Sequence, residues 1–216
     1  MNITELKPQL NQLETLLTKA CASLEGDLDG EQIQLYDLAF CRAEVLAGQV
    51  ILDQAEAEPR LAPVAAYFVA DAVQSVTQKL SSRPKAFGLA RAEIPSIESV
   101  EDYLSTEFIT ELGRHFASNG ILDDDMGAER NMIRDTFREF SDDVVKPLAE
   151  EIHRKDLLVP DEILVPLKNM GVFGLSVPER FGGLKPNDTE DSIGMCVVTE
   201  ELSRGSLGAA GSLITR

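Results

Sequence analysis

Three glycines near the end of the chain, Gly205, Gly208 and Gly211, could bring the backbone close to a ligand. Their spacing is G-x-x-G-x-x-G, which differs from the dinucleotide-binding turn and from the phosphate-binding P-loop. No strand pattern precedes them, and the residues around them continue a helical pattern. Because glycine has no side chain, either a neighbouring helix or a slim ligand could lie against this segment. Helix packing is the favoured interpretation.

Four titratable groups could support acid–base chemistry or metal binding. His115 and His153 are far apart, and neither has a cysteine or another histidine at ligand spacing, so surface or capping roles are favoured. Glu200 and Glu201 are adjacent, and adjacent helical residues point in different directions. They therefore cannot act as a matched acid and base on one substrate atom. At least one of them is expected to pair with Arg204.

The acidic run Asp123, Asp124 and Asp125 resembles the start of a cation-binding loop. It lacks the D-x-[DN]-x-[DN]-G pattern and the distal glutamate that such loops need. Acidic side chains also suit the amino-terminal end of the helix that follows. A capping or solvated linker role is therefore favoured over a metal site, and no metal-binding residue is predicted.

The three cysteines, Cys21, Cys41 and Cys196, are an odd number and lie far apart. Two of them have alanine and valine neighbours, so all three are expected to be buried thiols in a reducing compartment. The start of the chain has neither a basic segment nor an apolar one, which argues against secretion. These observations favour a cytoplasmic protein.

Composition limits the partners of the chain. The 216 residues are 44% hydrophobic and 26% charged, which is typical of a globular protein with one large domain or two small ones. The formal net charge of −17 argues against nucleic acid and anionic lipid surfaces as partners. No run of about 18 apolar residues occurs, so membrane insertion is not expected.

Residues 1–120 are predicted to form a helical extension domain. Helices are expected over 5–24 and 32–57, and a third is expected to begin near Pro63. The second of these is apolar on nearly all sides, which predicts a position inside a bundle. An irregular connection over 81–99 should lead to a fourth helix capped by Ser99.

Residues 121–216 are predicted to form a second helical domain. A long helix from Ala128 to His153 should be kinked or broken near Val144, because Pro147 cannot continue the hydrogen-bond ladder. A shorter helix should follow Pro160. Further elements are expected after it: an extended passage at 174–178, a glycine hinge at Gly182-Gly183, a helix capped by Asp188, Thr189 and Asp191 that closes at Gly205, and one more helix after it.

The order of four segments carries a resemblance to a known family. A helix over 128–153 is followed by LKNMGVFG at 167–174, VPERFGG at 177–183 and EELSR at 200–204. This order and spacing resemble the amino-terminal helical domain of the flavin-dependent acyl-CoA dehydrogenases, over roughly residues 129–216. The predicted fold is therefore all-α: a helical extension followed by this domain. The β domain and the carboxy-terminal bundle of the family would lie outside the sequence.

The resemblance implies a reaction and its cofactor. In the family, a glutamate removes the α-proton of an acyl-CoA thioester while a hydride leaves the β-carbon for FAD, and the electrons pass to an electron-transferring flavoprotein. The segments that hold FAD and the base would lie outside these 216 residues. No residue here is therefore predicted to be catalytic or cofactor-binding, and the chain is expected to be part of a protein about twice as long or longer.

The resemblance also implies one substrate contact and an oligomer. The segment after EELSR forms a wall of the acyl pocket in the family, which here would be Ala210, Gly211 and Ile214. Such small residues suit a short or branched acyl group. Family members form homodimers or homotetramers, so the full-length protein is expected to do the same.

Residues 35–80 resemble the carboxy-terminal bundle of the same family. An added domain of this kind is similar to the one in the branch of the family that oxidises methylsuccinyl-CoA to mesaconyl-CoA in the ethylmalonyl-CoA pathway. Two other hypotheses remain open from the residues alone: a non-catalytic helical scaffold of the same fold, and a flavin oxidase or monooxygenase of the same superfamily.

Overall fold

The computed structural model describes residues 3–24, 26–119, 125–188 and 191–214. The chain divides into two compact units, Met1–Ile121 and Leu122–Arg216. In the described residues all regular secondary structure is helical apart from one isolated bridge between Pro178 and Lys185. The all-α prediction is confirmed for this part of the chain.

The first unit is built on three helices, α1 (Lys7–Ala22), α2 (Gln32–Ala57) and α3 (Ala62–Ser82). Helix α1 presents leucines at three- and four-residue steps, and these are buried: Leu10, Leu13, Leu16 and Leu17. Gly48 allows α2 to approach α1 closely, since a Cβ there would lie 3.2 Å from the Leu10 methyl carbons. Helices α1 and α3 both pack against α2.

The structure corrects the prediction that α2 is enclosed. One side of α2 is buried through Leu38, Cys41, Val45 and Leu52. On the opposite side, five large apolar residues are exposed: Ile33, Tyr36, Phe40, Leu46 and Val50. A helix that is apolar on all sides is enclosed only when other elements pack on every side. Helices α1 and α3 cover only one side of α2.

The fourth helix also begins later than expected. Residues Glu101–Leu104 form a 3₁₀ helix, and α4 spans Thr106–Asn119. The hydroxyl of Ser105 accepts a hydrogen bond from the Phe108 N–H at 3.2 Å, so Ser105 takes the capping role assigned to Ser99. The expected irregular connection before it contains two short 3₁₀ helices, Pro84–Phe87 and Arg91–Glu93.

The second unit begins with one long helical stretch. Helix α5 (Ala128–Phe140) continues through a π-helical turn (Ser141–Val145) into α6 (Lys146–Lys155). The Lys146 N–H donates to the Ser141 carbonyl five residues back, and Pro147 has no N–H to give. The predicted irregularity near Val144 is this π turn.

Asp125 makes hydrogen bonds just before that stretch and to its first turn. Its carboxylate accepts from the Gly127 N–H at 3.0 Å and from the Asn131 amide at 2.7 Å. The N-cap position itself is Gly127, and no side chain caps the first N–H groups of α5, so the capping role is not confirmed for Asp125. Asp123 and Asp124 lie outside the described residues.

Helix α7 (Asp161–Asn169) ends before Gly171, whose φ of 77° is left-handed. The passage predicted to be extended at 174–178 is instead largely turns, which follow a 3₁₀ helix at Val172–Gly174. It meets the next segment through the bridge between Pro178 and Lys185. At Gly183, a Cβ would lie 1.9 Å from the Val177 carbonyl oxygen, so only glycine allows this close approach.

Helix α8 (Ser192–Ser206) crosses the first stretch of this unit. The Asp191 carboxylate accepts from the Gly194 N–H at 3.0 Å and caps the helix as predicted, whereas Thr189 lies outside the described residues. The buried side of α8 contributes to the apolar core of the second unit. This core consists of Phe137, Val145, Ile163, Leu167, Val172, Val198, Leu202, Ala209, Ala210 and Ile214. Among the described helices, none has the length and apolarity to cross a bilayer.

Candidate functional site

The segment after α8 folds back on the end of that helix. Helix α8 ends at Ser206, one residue later than predicted, and the helix expected next is a 3₁₀ turn at Gly211–Leu213 within the described residues. The Ala210 N–H donates to the Ser206 carbonyl at 3.1 Å, and the Ser212 N–H donates to the Leu207 carbonyl at 2.8 Å. These bonds hold 207–214 as a compact turn against α8.

Two of the three glycines singled out in the sequence are packing contacts. A Cβ at Gly205 would lie 2.3 Å from the Ser141 hydroxyl, so Gly205 lets α8 approach the π turn. A Cβ at Gly211 would lie 2.1 Å from the Ser203 hydroxyl, so Gly211 lets the chain fold back. At Gly208 nothing lies within 4 Å of such a carbon. Gly205 and Gly211 thus serve the favoured packing role.

The structure places Ala210, Gly211 and Ile214 together in this turn, with the side chains of Ala210 and Ile214 turned inward. Ala210 is 0% exposed and Ile214 is 6% exposed, and Gly211 is buried as well. All three positions therefore face the core of the second unit. The outer surface of the same turn is formed by Leu207 and Gly208, which are exposed.

An ionic cluster anchors the carboxyl end of α8. Glu201 is 2% exposed, and both of its oxygens accept hydrogen bonds from Arg138 of α5, at 2.6 to 3.2 Å. Arg204 donates to Glu201 at 2.8 Å and to both oxygens of Asp142 at 3.0 and 3.1 Å. The predicted pairing of a glutamate with Arg204 is confirmed.

The roles of Arg138 and Asp142 were missed by the sequence reasoning. Arg138 lies 63 residues from Glu201, and Asp142 lies 62 residues from Arg204. The only local signal was that Arg138 falls off the apolar stripe of its helix. A charged residue off the stripe is normally solvated, so this signal could not select a partner.

The cluster is built to hold charge in place rather than to transfer protons. Burial would raise the pKa of Glu201, but hydrogen bonds from Arg138 and Arg204 outweigh it and hold that pKa below its ordinary value. Hydrogen bonds from Arg204 and Lys146 lower the pKa of Asp142 to about 2. Both carboxylates stay ionised near neutral pH and are poor proton acceptors.

A cavity of about 520 Å³ opens between α5, α8 and the loop before α8. Its walls are mostly apolar and include Ile133, Phe137 and Met195, and its charged lining residues are Glu129, Lys185 and Asp191. None of Ala210, Gly211 and Ile214 lines this cavity.

The glycine-containing turn at 207–214 does not fit the pyrophosphate of a flavin dinucleotide. Phosphate sites on glycine-rich segments need free backbone N–H groups. Here the N–H groups of Ala209, Ala210, Ser212 and Leu213 all donate within the turn itself. No step of flavin chemistry is therefore assigned to these residues.

The part of the chain that the structure describes contains free cysteines but no cluster of metal ligands. No group of three His, Cys, Asp or Glu side chains among these residues could hold a metal ion. The expectation of three buried thiols is wrong for Cys21 and Cys196, which are exposed, whereas Cys41 is buried and all three are free. Helical spacing places Cys21 and Cys196 on solvent-facing sides despite their apolar neighbours.

Comparison with known proteins identifies the second unit. Residues 127–215 match the model of the acyl-CoA dehydrogenase N-terminal domain. The chain is 51% identical over 88 residues to (2S)-methylsuccinyl-CoA dehydrogenase of Cereibacter sphaeroides, covering 41% of this chain and 15% of that protein. It is 32% identical over 92 residues to benzylmalonyl-CoA dehydrogenase of Aromatoleum aromaticum, covering 43% and 23% of the two chains.

A further relative, glutaryl-CoA dehydrogenase of Desulfococcus multivorans, is 27% identical over 85 residues, covering 39% of this chain and 21% of the relative. The chain thus spans less than a quarter of the length of each of these relatives. These relatives are acyl-CoA dehydrogenases, which are oxidoreductases, and the helical architecture of the second unit agrees with the matched model. These matches support the acyl-CoA dehydrogenase family for the segment 127–215, which resembles the N-terminal domain of that family.

Proposed function

We propose that this chain is the amino-terminal part of an FAD-dependent acyl-CoA dehydrogenase that oxidises a short, branched acyl-CoA, with methylsuccinyl-CoA as the substrate and mesaconyl-CoA as the product. The observation that carries the proposal is the 51% identity over 88 residues to (2S)-methylsuccinyl-CoA dehydrogenase. The two other relatives named above are less similar over segments of comparable length.

In this proposal the second unit supplies a wall of the acyl pocket and no reacting group. Ala210, Gly211 and Ile214 lie in the turn after α8, and the ionic cluster of Glu201, Arg138 and Arg204 fixes the helix end from which that turn begins. Because Ala210 and Ile214 face the core of the unit, they would shape this wall from beneath the turn, whose small residues favour a short or branched acyl group. The base and most of the flavin contacts lie outside these 216 residues.

The wider context follows from the same family assignment. The electrons pass to an electron-transferring flavoprotein, and the full-length protein is a cytoplasmic homodimer or homotetramer. The reaction belongs to the ethylmalonyl-CoA pathway. Residues 1–120 form a separate extension domain ahead of the enzyme's first domain, 121–216.

The test is a substrate panel on the full-length protein. The purified protein should contain bound FAD and should reduce an artificial electron acceptor with methylsuccinyl-CoA at a kcat/KM at least about tenfold above that with straight short-chain acyl-CoA esters. A tenfold ratio corresponds to about 1.4 kcal/mol of differential transition-state binding.

Two adverse outcomes have different meanings. If straight-chain esters react faster, the proposed substrate is wrong and the family's chemistry stands. If the protein holds no flavin and oxidises no acyl-CoA, the proposed enzyme is wrong, and the scaffold hypothesis replaces it.

A further inference from the structure

The turn that follows α8 has two sides with different surroundings. On its inward side, Ala209, Ala210 and Ile214 are buried and belong to the apolar core of the second unit. On its outward side, the Leu207 side chain is 66% exposed, and Gly208 is exposed as well. The inward side is therefore occupied by the core, whereas the outward side is accessible to a ligand.

The backbone of the turn holds Leu207 in place. The Leu207 carbonyl accepts from the Ser212 N–H at 2.8 Å, and the Ser206 hydroxyl accepts from the Ala209 N–H at 3.1 Å. Leu207 itself has helical backbone angles, with φ −59° and ψ −45°. Because the turn is hydrogen-bonded on both sides of this residue, Leu207 presents a defined surface to a molecule that binds next to it.

The fold of the second unit does not require glycine at position 208. Gly208 is not among the glycines with a positive φ, and no described atom lies within 4 Å of a Cβ built there. In contrast, a Cβ at Gly205 or Gly211 would lie 2.3 Å or 2.1 Å from a serine hydroxyl. The bare backbone at Gly208 therefore leaves space beside Leu207 into which a ligand group can fit.

The outward side of the turn suits an alkyl group. From Gly205 to Ile214 the sequence is GSLGAAGSLI, which contains no charged side chain. The guanidinium of Arg204, just before it, is engaged with Glu201 and Asp142. A carboxylate placed against Leu207 would lose water without gaining a partner, whereas a methyl group is stabilised when it is covered.

We propose that Leu207 and Gly208 determine substrate specificity by contacting the methyl branch of the acyl group. Leu207 covers the methyl group, and the bare backbone of Gly208 makes room for it. This inference rests on the proposed function, in which the turn is a wall of the acyl pocket. It assigns the contact to the outward residues, while Ala210, Gly211 and Ile214 support the turn from the core side. The carboxylate of methylsuccinyl-CoA then points away from the turn.

The test compares two esters on the full-length protein. Methylsuccinyl-CoA and succinyl-CoA differ only in the methyl branch, so the ratio of their kcat/KM values reports the contact with the methyl group. Leu207→Ala removes most of the side chain that covers this group. It should lower kcat/KM for methylsuccinyl-CoA at least about tenfold and change that for succinyl-CoA by less than about threefold. Loss of folding or of flavin would lower both values alike.

Gly208→Val tests the space beside Leu207. Since no described atom lies within 4 Å of the added Cβ, helix content and flavin content should equal those of the wild type. The valine methyl groups would occupy the space assigned to the branch of the substrate. They should therefore lower kcat/KM for methylsuccinyl-CoA at least about tenfold, with a smaller effect on succinyl-CoA.

The matched control for Leu207→Ala is Leu158→Ala, because Leu158 is a leucine of the same unit that is 92% exposed and lies outside the turn. It should leave kcat/KM unchanged for both esters. For an ester that is not oxidised, the Kd from titration calorimetry takes the place of kcat/KM.

The possible results separate this inference from the proposed function. Equal losses for the two esters in Leu207→Ala and Gly208→Val, or no change with either ester, would overturn the contact and leave the proposed function in place. If the wild type oxidises neither ester, the proposed function fails, and the Kd values decide the contact on their own. Absent binding, or binding that Leu207→Ala does not weaken, would then overturn it.

Discussion

Replacing Glu201 with glutamine tests whether the ionic cluster holds α8 on the preceding helix. The carboxylate is 2% exposed and accepts hydrogen bonds from Arg138 and Arg204, with donor–acceptor distances between 2.6 and 3.2 Å. Glutamine keeps the shape of the side chain but removes the charge and turns one acceptor into a donor. The donor would then face a guanidinium group.

The expected loss of stability can be worked out from the hydrogen bonds and the exposure of these side chains. A hydrogen bond to a charged group contributes about 1.5–3 kcal/mol, and breaking a fully buried ion pair costs about 3–5 kcal/mol. The side chains of Arg138 and Arg204 are 44% and 35% exposed, so water can solvate them once the carboxylate is lost. The expected loss in the free energy of unfolding of the second unit is therefore about 2–3 kcal/mol.

The stability lost in Glu201→Gln should become smaller as the pH falls. The folded-state pKa of Glu201 is lower than its ordinary value of 4.5. The stabilisation is therefore fully present above pH 4.5 and is lost as the pH falls through the folded-state pKa. The difference between wild type and Glu201→Gln should be full at pH 7 and should shrink in acid.

The assay is urea unfolding followed by circular dichroism, with hydrogen exchange of the α8 amides to assign the transition to the second unit. The matched control is Glu200→Gln, because Glu200 is the adjacent, exposed residue of the same type. Its effect should stay within about 0.5 kcal/mol. Equal effects of the two substitutions, or a Glu201→Gln effect that does not change in acid, would refute the reasoning.

Two further substitution and labelling experiments address packing and thiol exposure. Gly205→Ala should destabilise the second unit by about 1–2 kcal/mol through overpacking against Ser141, whereas Gly208→Ala should be close to neutral, and urea unfolding of the pair checks this. An equal response of both glycines would contradict the close approach of α8 to the π turn. Burial raises the pKa of the Cys41 thiol to about 11, so native protein at pH 8 should take up an alkylating agent at Cys21 and Cys196 and resist it at Cys41. Mass spectrometry of native and denatured samples measures this, and rapid native labelling of Cys41 would contradict its burial.

Much of the fold could be predicted from local signals. The bounds of α2 were predicted from apolar spacing and from Pro59, which follows its last turn. The irregularity near Val144 was predicted from Pro147, because a residue without an N–H must interrupt the ladder wherever it occurs. The cap of α8 follows from Asp191, whose carboxylate accepts from a free N–H group of the first turn. The first residues of α7 follow from Asp161 and Glu162, since acidic side chains suit a helix amino terminus.

The order of segments over 167–174, 177–183 and 200–204 also carried the family assignment. Each segment is short, but the glycines in the first two serve close approaches that few other residues allow, as at Gly171 and Gly183. Sequence alone could therefore identify this domain before its packing was known.

Only the tertiary structure decided the contacts between residues that lie far apart in the chain. Sequence spacing shows which residues share a helix face, but it does not show which neighbour covers that face. This is why α2 was expected to be enclosed although one side is exposed, and why the partnership of Arg138 with Glu201 was not foreseen. The inward placement of Ala210 and Ile214 likewise depends on a chain reversal held by contacts between Gly211 and Ser203, which local periodicity does not encode.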